Sequence, residues 1–165
     1  FWIGQRALKL AARALDGQGG DAGFARALMR LLGEGDDPGA PLRWVMAARD
    51  RSAIAGLARH VDALAEGGQP TARAILTRGA GHLARQARAA ARLAGLDAPL
   101  PWSAAGSVVL RCQTLSAALA EDLGAPPVPA RFNGLGGGLW LAAERAGWVT
   151  AGAWSARIGA ATRAW

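Results

Sequence analysis

The sequence predicts an α/β fold that is mostly helical, with two short parallel strands in its C-terminal part. Most of the 165 residues follow a helical period, in which apolar side chains recur every three or four positions. Two short runs, 102–110 and 126–132, lack that period and are typical of strands. A predicted helix follows each run, so parallel pairing through crossover helices is expected.

Five helices are predicted before the first strand. The first covers 3–15, where apolar and basic residues occupy opposite faces, and a second surrounds 24–32. Pro41 suits the first turn of a third helix, and Ser52 is the expected N-cap of a fourth. The longest helix is expected from Pro70 to about Ala94. Small residues along its apolar stripe predict close packing against another helix. The stripe predicted to be buried is Ala72, Ile75, Leu76, Gly79, Leu83, Ala87, Ala90 and Leu93.

The C-terminal part is predicted to alternate strand, helix, strand, helix. The run 102–110 predicts a buried strand, and leucines spaced by four predict a helix over 115–123 that ends at Gly124. The prolines within 126–132 place the second strand at a sheet edge. The segment 134–147 is a glycine-rich turn that leads into a helix. The tail 148–165 is predicted to be frayed, the alternative being a contact with a partner. Because two strands do not form a stable parallel sheet, further strands are required.

Charge and hydropathy exclude some classes of function. The net charge is +7, carried by arginines that are spread along the whole chain with a single lysine. This distribution has no basic block and does not favour nucleic-acid binding. No apolar run approaches the roughly 20 residues needed to span a bilayer. The single cysteine excludes an internal disulfide and fits a reducing, cytoplasmic compartment.

Metal and thiol chemistry have little support in the sequence. His60 and His82 have no cysteine or second histidine at the spacing of metal ligands. Arg111 precedes Cys112 and could lower the pKa of its thiol, although a lone cysteine is more often a packing residue. No nucleophile and base stand out as a pair. We therefore assign neither a catalytic residue nor a metal ligand.

Two glycine-containing turns are candidate ligand contacts. In "AAGSVV" (104–109), Gly106 and Ser107 follow the predicted strand, where a residue without Cβ lets a ligand approach the backbone. In "NGLGGGLW" (133–140), three glycines open a helix whose free N–H groups favour an anion. The alternative in both places is that glycine permits close packing of the helix.

A third candidate is "DRSAIAGLARH" (50–60). The pair Ala55–Gly56 lies near the predicted start of a helix, where small side chains would let a flat base pack closely. The alternative is an ordinary capped helix.

The order and spacing of these segments resemble the C-terminal lobe of the N-acetylglucosamine kinase group, among the BadF/BadG/BcrA/BcrD-type ATPases. The resemblance covers about residues 1–148 and implies part of a ribonuclease H-like (actin-like ATPase) lobe. It depends on no single motif. The segments that carry it are "FWIGQRALKL", "IAGLARHVDALAEGGQPTARAIL", "LPWSAAGSVVLRCQTL" and "GLGGGLWLAAERAG".

The resemblance implies ATP-dependent phosphorylation of N-acetylglucosamine or glucosamine with Mg²⁺. Residues 1–148 would then form the nucleotide-side lobe, followed by an extension over 149–165. The catalytic residues would lie upstream of Phe1, and this chain alone is expected to be inactive. The implied nucleotide contacts are Ala55, Gly106, Ser107, Gly136 and Gly137. One departure is Ala105, where many bacterial members carry glycine.

Two alternatives remain open. One is an ATPase of the same family that couples hydrolysis to another reaction. The other is a basic helical module that binds a protein or a nucleic acid, which the net charge and the seven tryptophans motivate. The partners expected for the kinase are a nucleotide and an amino sugar, with no membrane, and a homodimer is an open question.

Overall fold

The computed structural model describes residues 1–47, 50–96, 101–148 and 152–162. Within these ranges the chain is helical and forms no strand. None of the helices in these ranges is long and apolar enough to cross a membrane. The helices are α1 (Trp2–Leu15), α2 (Ala22–Leu31), α3 (Ala40–Met46), α4 (Arg51–Gly56), α5 (Ala58–Glu66), α6 (Pro70–Leu93), α7 (Ser107–Arg111), α8 (Gln113–Leu123), α9 (Gly134–Arg145) and α10 (Ala153–Ala161).

The chain divides into two units. Unit 1 comprises Phe1–Leu100 and Ser107–Ala125 and contains α1 to α8. Unit 2 comprises Pro101–Gly106 and Pro126–Trp165 and contains α9 and α10. The candidate site described below lies within unit 1.

The core of unit 1 is built around α6, which packs against α1, α5 and α8. The prediction of small residues at a helix–helix contact is confirmed for Ala72 and Gly79 of α6, which are buried, but not for Ala87 and Ala90, which are not. The buried small residues also include Ala80 and Ala84. Small side chains let neighbouring helices approach closely. Among the residues that the structure describes, the largest fully buried side chains lie in this unit: Phe24, Leu28, Met29, Leu57, Val61, Leu76 and Leu115.

A polar cluster connects the N-termini of α2 and α6. Asp21 caps α2 by accepting a hydrogen bond from the N–H of Phe24 at 2.8 Å. Its other carboxylate oxygen accepts from Gln69 Nε2 at 2.8 Å and from Thr71 Oγ1 at 2.7 Å. Gln69 also caps α6, since its Oε1 accepts from the N–H of Thr71 at 2.7 Å. These three donors favour the charged carboxylate, and they lower the pKa of Asp21 to about 2.

The prediction that Ser52 caps the fourth helix is wrong. Asp50 is the N-cap of α4, and its Oδ1 accepts a hydrogen bond from the N–H of Ala53 at 2.7 Å. An aspartate is as good an N-cap as a serine, and this one comes two residues earlier. The predicted single helix is also divided, because a turn at the buried Leu57 separates α4 from α5.

The predicted parallel strands are not formed, so the α/β, ribonuclease H-like fold class is wrong for this chain. Residues 101–105 have no regular structure, and 107–111 form α7. Residues 126–130 also have no regular structure. The two segments share one backbone hydrogen bond, from the N–H of Val128 to the carbonyl of Trp102 at 2.7 Å. Three prolines, at 126, 127 and 129, have no N–H to donate, so a ladder cannot continue from that bond.

Unit 2 is organised by the contact between α9 and α10. Asn133 caps α9 by accepting from the N–H of Gly136 at 2.9 Å, and its side-chain amide donates to the carbonyl of Thr162. Thr162 is buried, with only 4% of its surface exposed. The predicted frayed tail is therefore helical over α10; residues 149–151 and 163–165 lie outside the described ranges.

Candidate functional site

An open groove of about 470 Å³ lies in unit 1, beside the turn between α4 and α5, and is called here the α4–α5 groove. Its apolar lining comes from the end of α2, from α3 and from the α4–α5 turn. These apolar lining residues are Leu31, Leu32, Trp44, Ala53, Gly56 and Leu57. Its polar lining comes entirely from the segment 50–60: Asp50, Ser52, Arg59 and His60.

The polar lining residues come from both helices of the segment 50–60. Ser52 and Gly56 are four positions apart on one side of α4, whereas Arg59 and His60 are adjacent residues of α5, beyond the turn. Leu57, between the two helices, is buried and holds the turn against the core. The groove is thus one face of the segment 50–60, closed on its other side by apolar residues.

Gly56 leaves open space in the wall of the groove. If a Cβ were added at this glycine, the nearest atom would be Nη2 of Arg59, 4.0 Å away. A larger side chain at position 56 would therefore extend into the groove without colliding with the protein. The same distance places the Arg59 guanidinium close to the glycine.

Two side chains of the groove, Asp50 and Arg59, are charged, and they differ in whether they have a partner within the protein. The Asp50 carboxylate caps α4 through the N–H of Ala53, so one of its oxygens has a structural role. The Arg59 side chain is exposed, and in the described ranges the one ion pair joins Arg43 to Asp37 at 2.6 Å. The guanidinium of Arg59 is thus not neutralised by a carboxylate within the described part of the chain.

The five implied nucleotide contacts are not brought into this groove. Ala55 lies on α4 and is half-buried, but its neighbour Gly56 is the residue that lines the groove. Ser107 is the exposed first residue of α7, and Gly106 belongs to unit 2. Gly106 has a φ of 96°, so its conformation requires glycine whatever its role.

Gly136 and Gly137 lie in the first turn of α9, and both of their N–H groups have partners. The N–H of Gly136 donates to Asn133 Oδ1 and that of Gly137 to the Asn133 carbonyl, each at 2.9 Å. A Cβ on Gly136 would lie 2.7 Å from Thr162 Oγ1, whereas a Cβ on Gly137 would have nothing within 4 Å. In this structure Gly136 therefore permits the packing of α9 against Thr162.

The suggestion that Arg111 lowers the pKa of Cys112 is wrong. The Cys112 thiol is buried, with 4% of the residue exposed, and donates a hydrogen bond to Asp62 Oδ1 at 2.9 Å. Burial and the neighbouring carboxylate disfavour the thiolate and raise the pKa of Cys112 to about 12. This cysteine is a packing residue that also precedes α8 as its N-cap.

The described ranges contain no cluster of three or more His, Cys, Asp or Glu side chains placed to hold a metal ion. We therefore assign no ligand of Mg²⁺ to these residues.

Comparisons with known proteins add no relative: no protein-family model, curated protein or solved structure matches this chain.

The sequence predicts a ligand contact in the segment 50–60, but it does not predict which side chains of that segment line the groove. The sequence predicts a single helix here, on which Arg59 and His60 follow Gly56 by three and four positions. That spacing was the available signal. The contribution of Trp44 had no such signal, because it depends on how α3 packs in the folded unit.

Proposed function

We propose that this chain binds ATP as part of an ATP-dependent amino-sugar kinase, and that the α4–α5 groove contacts the adenosine. The support from sequence is the resemblance of residues 1–148 to the nucleotide-side lobe of the N-acetylglucosamine kinase group. The observation that carries the proposal is that the segment 50–60, which includes the implied nucleotide contact Ala55, provides most of the groove lining.

The groove fits an adenosine in size and chemistry. Its volume of about 470 Å³ lies within the range of roughly 300–1,000 Å³ that is usual for small-molecule sites. An apolar wall that includes Leu31 and Leu32 faces the polar groups of the segment 50–60, which could fix the orientation of a ligand. The open space beside Gly56 would allow a flat purine to lie close to the helix backbone.

The proposal is limited to nucleotide contact. The acceptor would be N-acetylglucosamine or glucosamine, and such a kinase would act in the cytoplasm. No residue of the described ranges is given the role of catalytic base or Mg²⁺ ligand. The roles implied for Gly106, Ser107, Gly136 and Gly137 stay predictions. A part in the ATP cleft for Gly136 and Gly137 would have to use atoms other than their occupied N–H groups.

Equilibrium dialysis with ATP tests this proposal on the 165-residue chain. Gly56→Leu fills the groove from its wall, and we expect it to weaken ATP binding at least tenfold. Ala74→Leu is the matched control, because it adds a similar side chain at an exposed position of α6 in the same unit. Unchanged ATP affinity in Gly56→Leu, with both variants folded by circular dichroism, would remove the groove from the nucleotide site.

A basic helical interaction module is the second candidate, and the composition of α6 favours it. This helix carries five arginines and no acidic residue over 24 positions. Two of the five have contacts within unit 1: Arg85 contacts His82, and Arg88 donates to the carbonyl of Asp122 near the end of α8. A chain that binds duplex DNA with strong salt dependence, and does not bind ATP, would favour this candidate over the kinase.

A further inference from the structure

The polar groups of the α4–α5 groove all lie on one side of it, on the segment 50–60. Lining residues from the end of α2 and from α3 are apolar, whereas the segment 50–60 contributes a guanidinium, an imidazole, a hydroxyl and a carboxylate. The carboxylate of Asp50 already accepts the capping hydrogen bond from Ala53. Asp50 and Arg59 form no ion pair in the described part of the chain, so a ligand in this groove can contact the guanidinium directly.

Arg59 is placed to reach a ligand in the groove. Its Nη2 atom lies 4.0 Å from the position that a Gly56 Cβ would occupy, so the guanidinium is next to the open space in the wall. The side chain is exposed and has no carboxylate partner in the described part of unit 1. His60 follows Arg59 in the same helix and also lines the groove. A planar guanidinium of this kind suits the paired oxygens of a phosphate.

We propose that Arg59 makes the α4–α5 groove selective for a phosphorylated ligand, by contacting the phosphate next to the part of the ligand that lies against the apolar wall. The identification of that ligand as a nucleotide rests on the function proposed above. The phosphate contact itself rests on the placement of Arg59 beside Gly56. On this assignment Arg59 is a binding residue that gives the groove a higher affinity for a nucleotide than for the corresponding nucleoside.

The experiment compares AMP, adenosine and inorganic pyrophosphate by isothermal titration calorimetry on the 165-residue chain. We expect AMP to bind at least tenfold more tightly than adenosine. Arg59→Gln should remove that difference through a loss of AMP affinity, and Arg59→Lys should restore it in part. Arg73→Gln is the control, because it removes the same charge from an exposed position on α6 and should change neither affinity.

The outcomes separate this inference from the proposed function. Unchanged AMP affinity in Arg59→Gln, or an equal loss in Arg73→Gln, would overturn the role of Arg59. Pyrophosphate binding that depends on Arg59 and is blocked by Gly56→Leu, without any binding of adenosine or AMP, would support the phosphate contact and refute the nucleotide. If none of the three compounds binds to the folded chain, both proposals are wrong.

Discussion

Gly4 is where α1 comes closest to the backbone of α4, and it provides the sharpest test of the fold. A Cβ added at Gly4 would lie 1.9 Å from the carbonyl oxygen of Ile54 and 3.0 Å from Cβ of Leu57. Non-bonded carbon–oxygen contacts normally begin at about 3.3 Å, so the Gly4→Ala variant would have to separate the two backbones by roughly 1.4 Å. A carbonyl group cannot rotate out of the way as a side chain can.

The expected cost of Gly4→Ala follows from two opposing terms. Forcing an extra methyl group into a packed site costs about 1–3 kcal/mol, and a backbone obstacle places this case near the upper end. Replacing a helical glycine with alanine recovers about 1 kcal/mol of helix propensity. The net loss is about 2 kcal/mol, which corresponds to a decrease in Tm of about 4–8 °C for a chain of this size.

Gly79→Ala is the matched control, because it places the same methyl group at a buried position of α6. There the new Cβ would lie 3.6 Å from Ile3 Cγ1 and 3.7 Å from Trp2 Cζ3, which are ordinary contacts. We expect this variant to be up to about 1 kcal/mol more stable than the parent chain. Both variants are measured by thermal unfolding, followed by circular dichroism at 222 nm. Equal stability of the two variants would refute the packing of α1 against α4.

Three further predictions concern single side chains. Because the folded-state pKa of Asp21 is lowered to about 2 from 3.8, its stabilisation is present above pH 4 and lost as the pH falls from about 4 to 2. After allowance for solvent screening, the free energy of unfolding of the parent chain should fall by about 1 kcal/mol more over that range than that of Asp21→Asn. Urea titrations of both chains at both pH values measure this difference. Cys112 should react with a disulfide reagent at pH 8 at least 100-fold more slowly than in the urea-unfolded chain, since burial raises its pKa to about 12; comparable rates would contradict its burial. Gly136→Ala should lower the Tm because its Cβ would lie 2.7 Å from Thr162 Oγ1, whereas Gly137→Ala, with open space around it, should not.

Helical periodicity predicted the elements that bury a continuous apolar stripe. The structure confirms the predicted helix from Pro70, and α1 and α8 lie where the spacing of apolar residues placed them. The predicted stop at Gly124 is also confirmed, with a φ of 75° that favours glycine. These features depend on local spacing and capping, which a single sequence contains.

The buried stripe of α6 was predicted only in part, because burial depends on what packs against a helix. Ile75 and Leu76 are buried as expected, but Leu83 is 36% exposed and Leu93 is 92% exposed. Ala91 is the one buried residue in the last nine positions of α6. The periodicity of apolar residues therefore identifies which face of a helix is buried. It does not show how much of the length of that face is covered by other helices.

The same dependence on partners explains why the strands fail while the groove forms. A strand satisfies its backbone only by pairing, and the segment around Val128 can offer few N–H groups because prolines occupy 126, 127 and 129. Helices satisfy their backbone internally, so Gly106 and the residues after it turn into α7. The groove needs only the helical segment 50–60 and the apolar residues that already pack beside it. The α4–α5 groove is therefore built from helices and the turns at their ends, and its formation does not require the sheet that the sequence led us to expect.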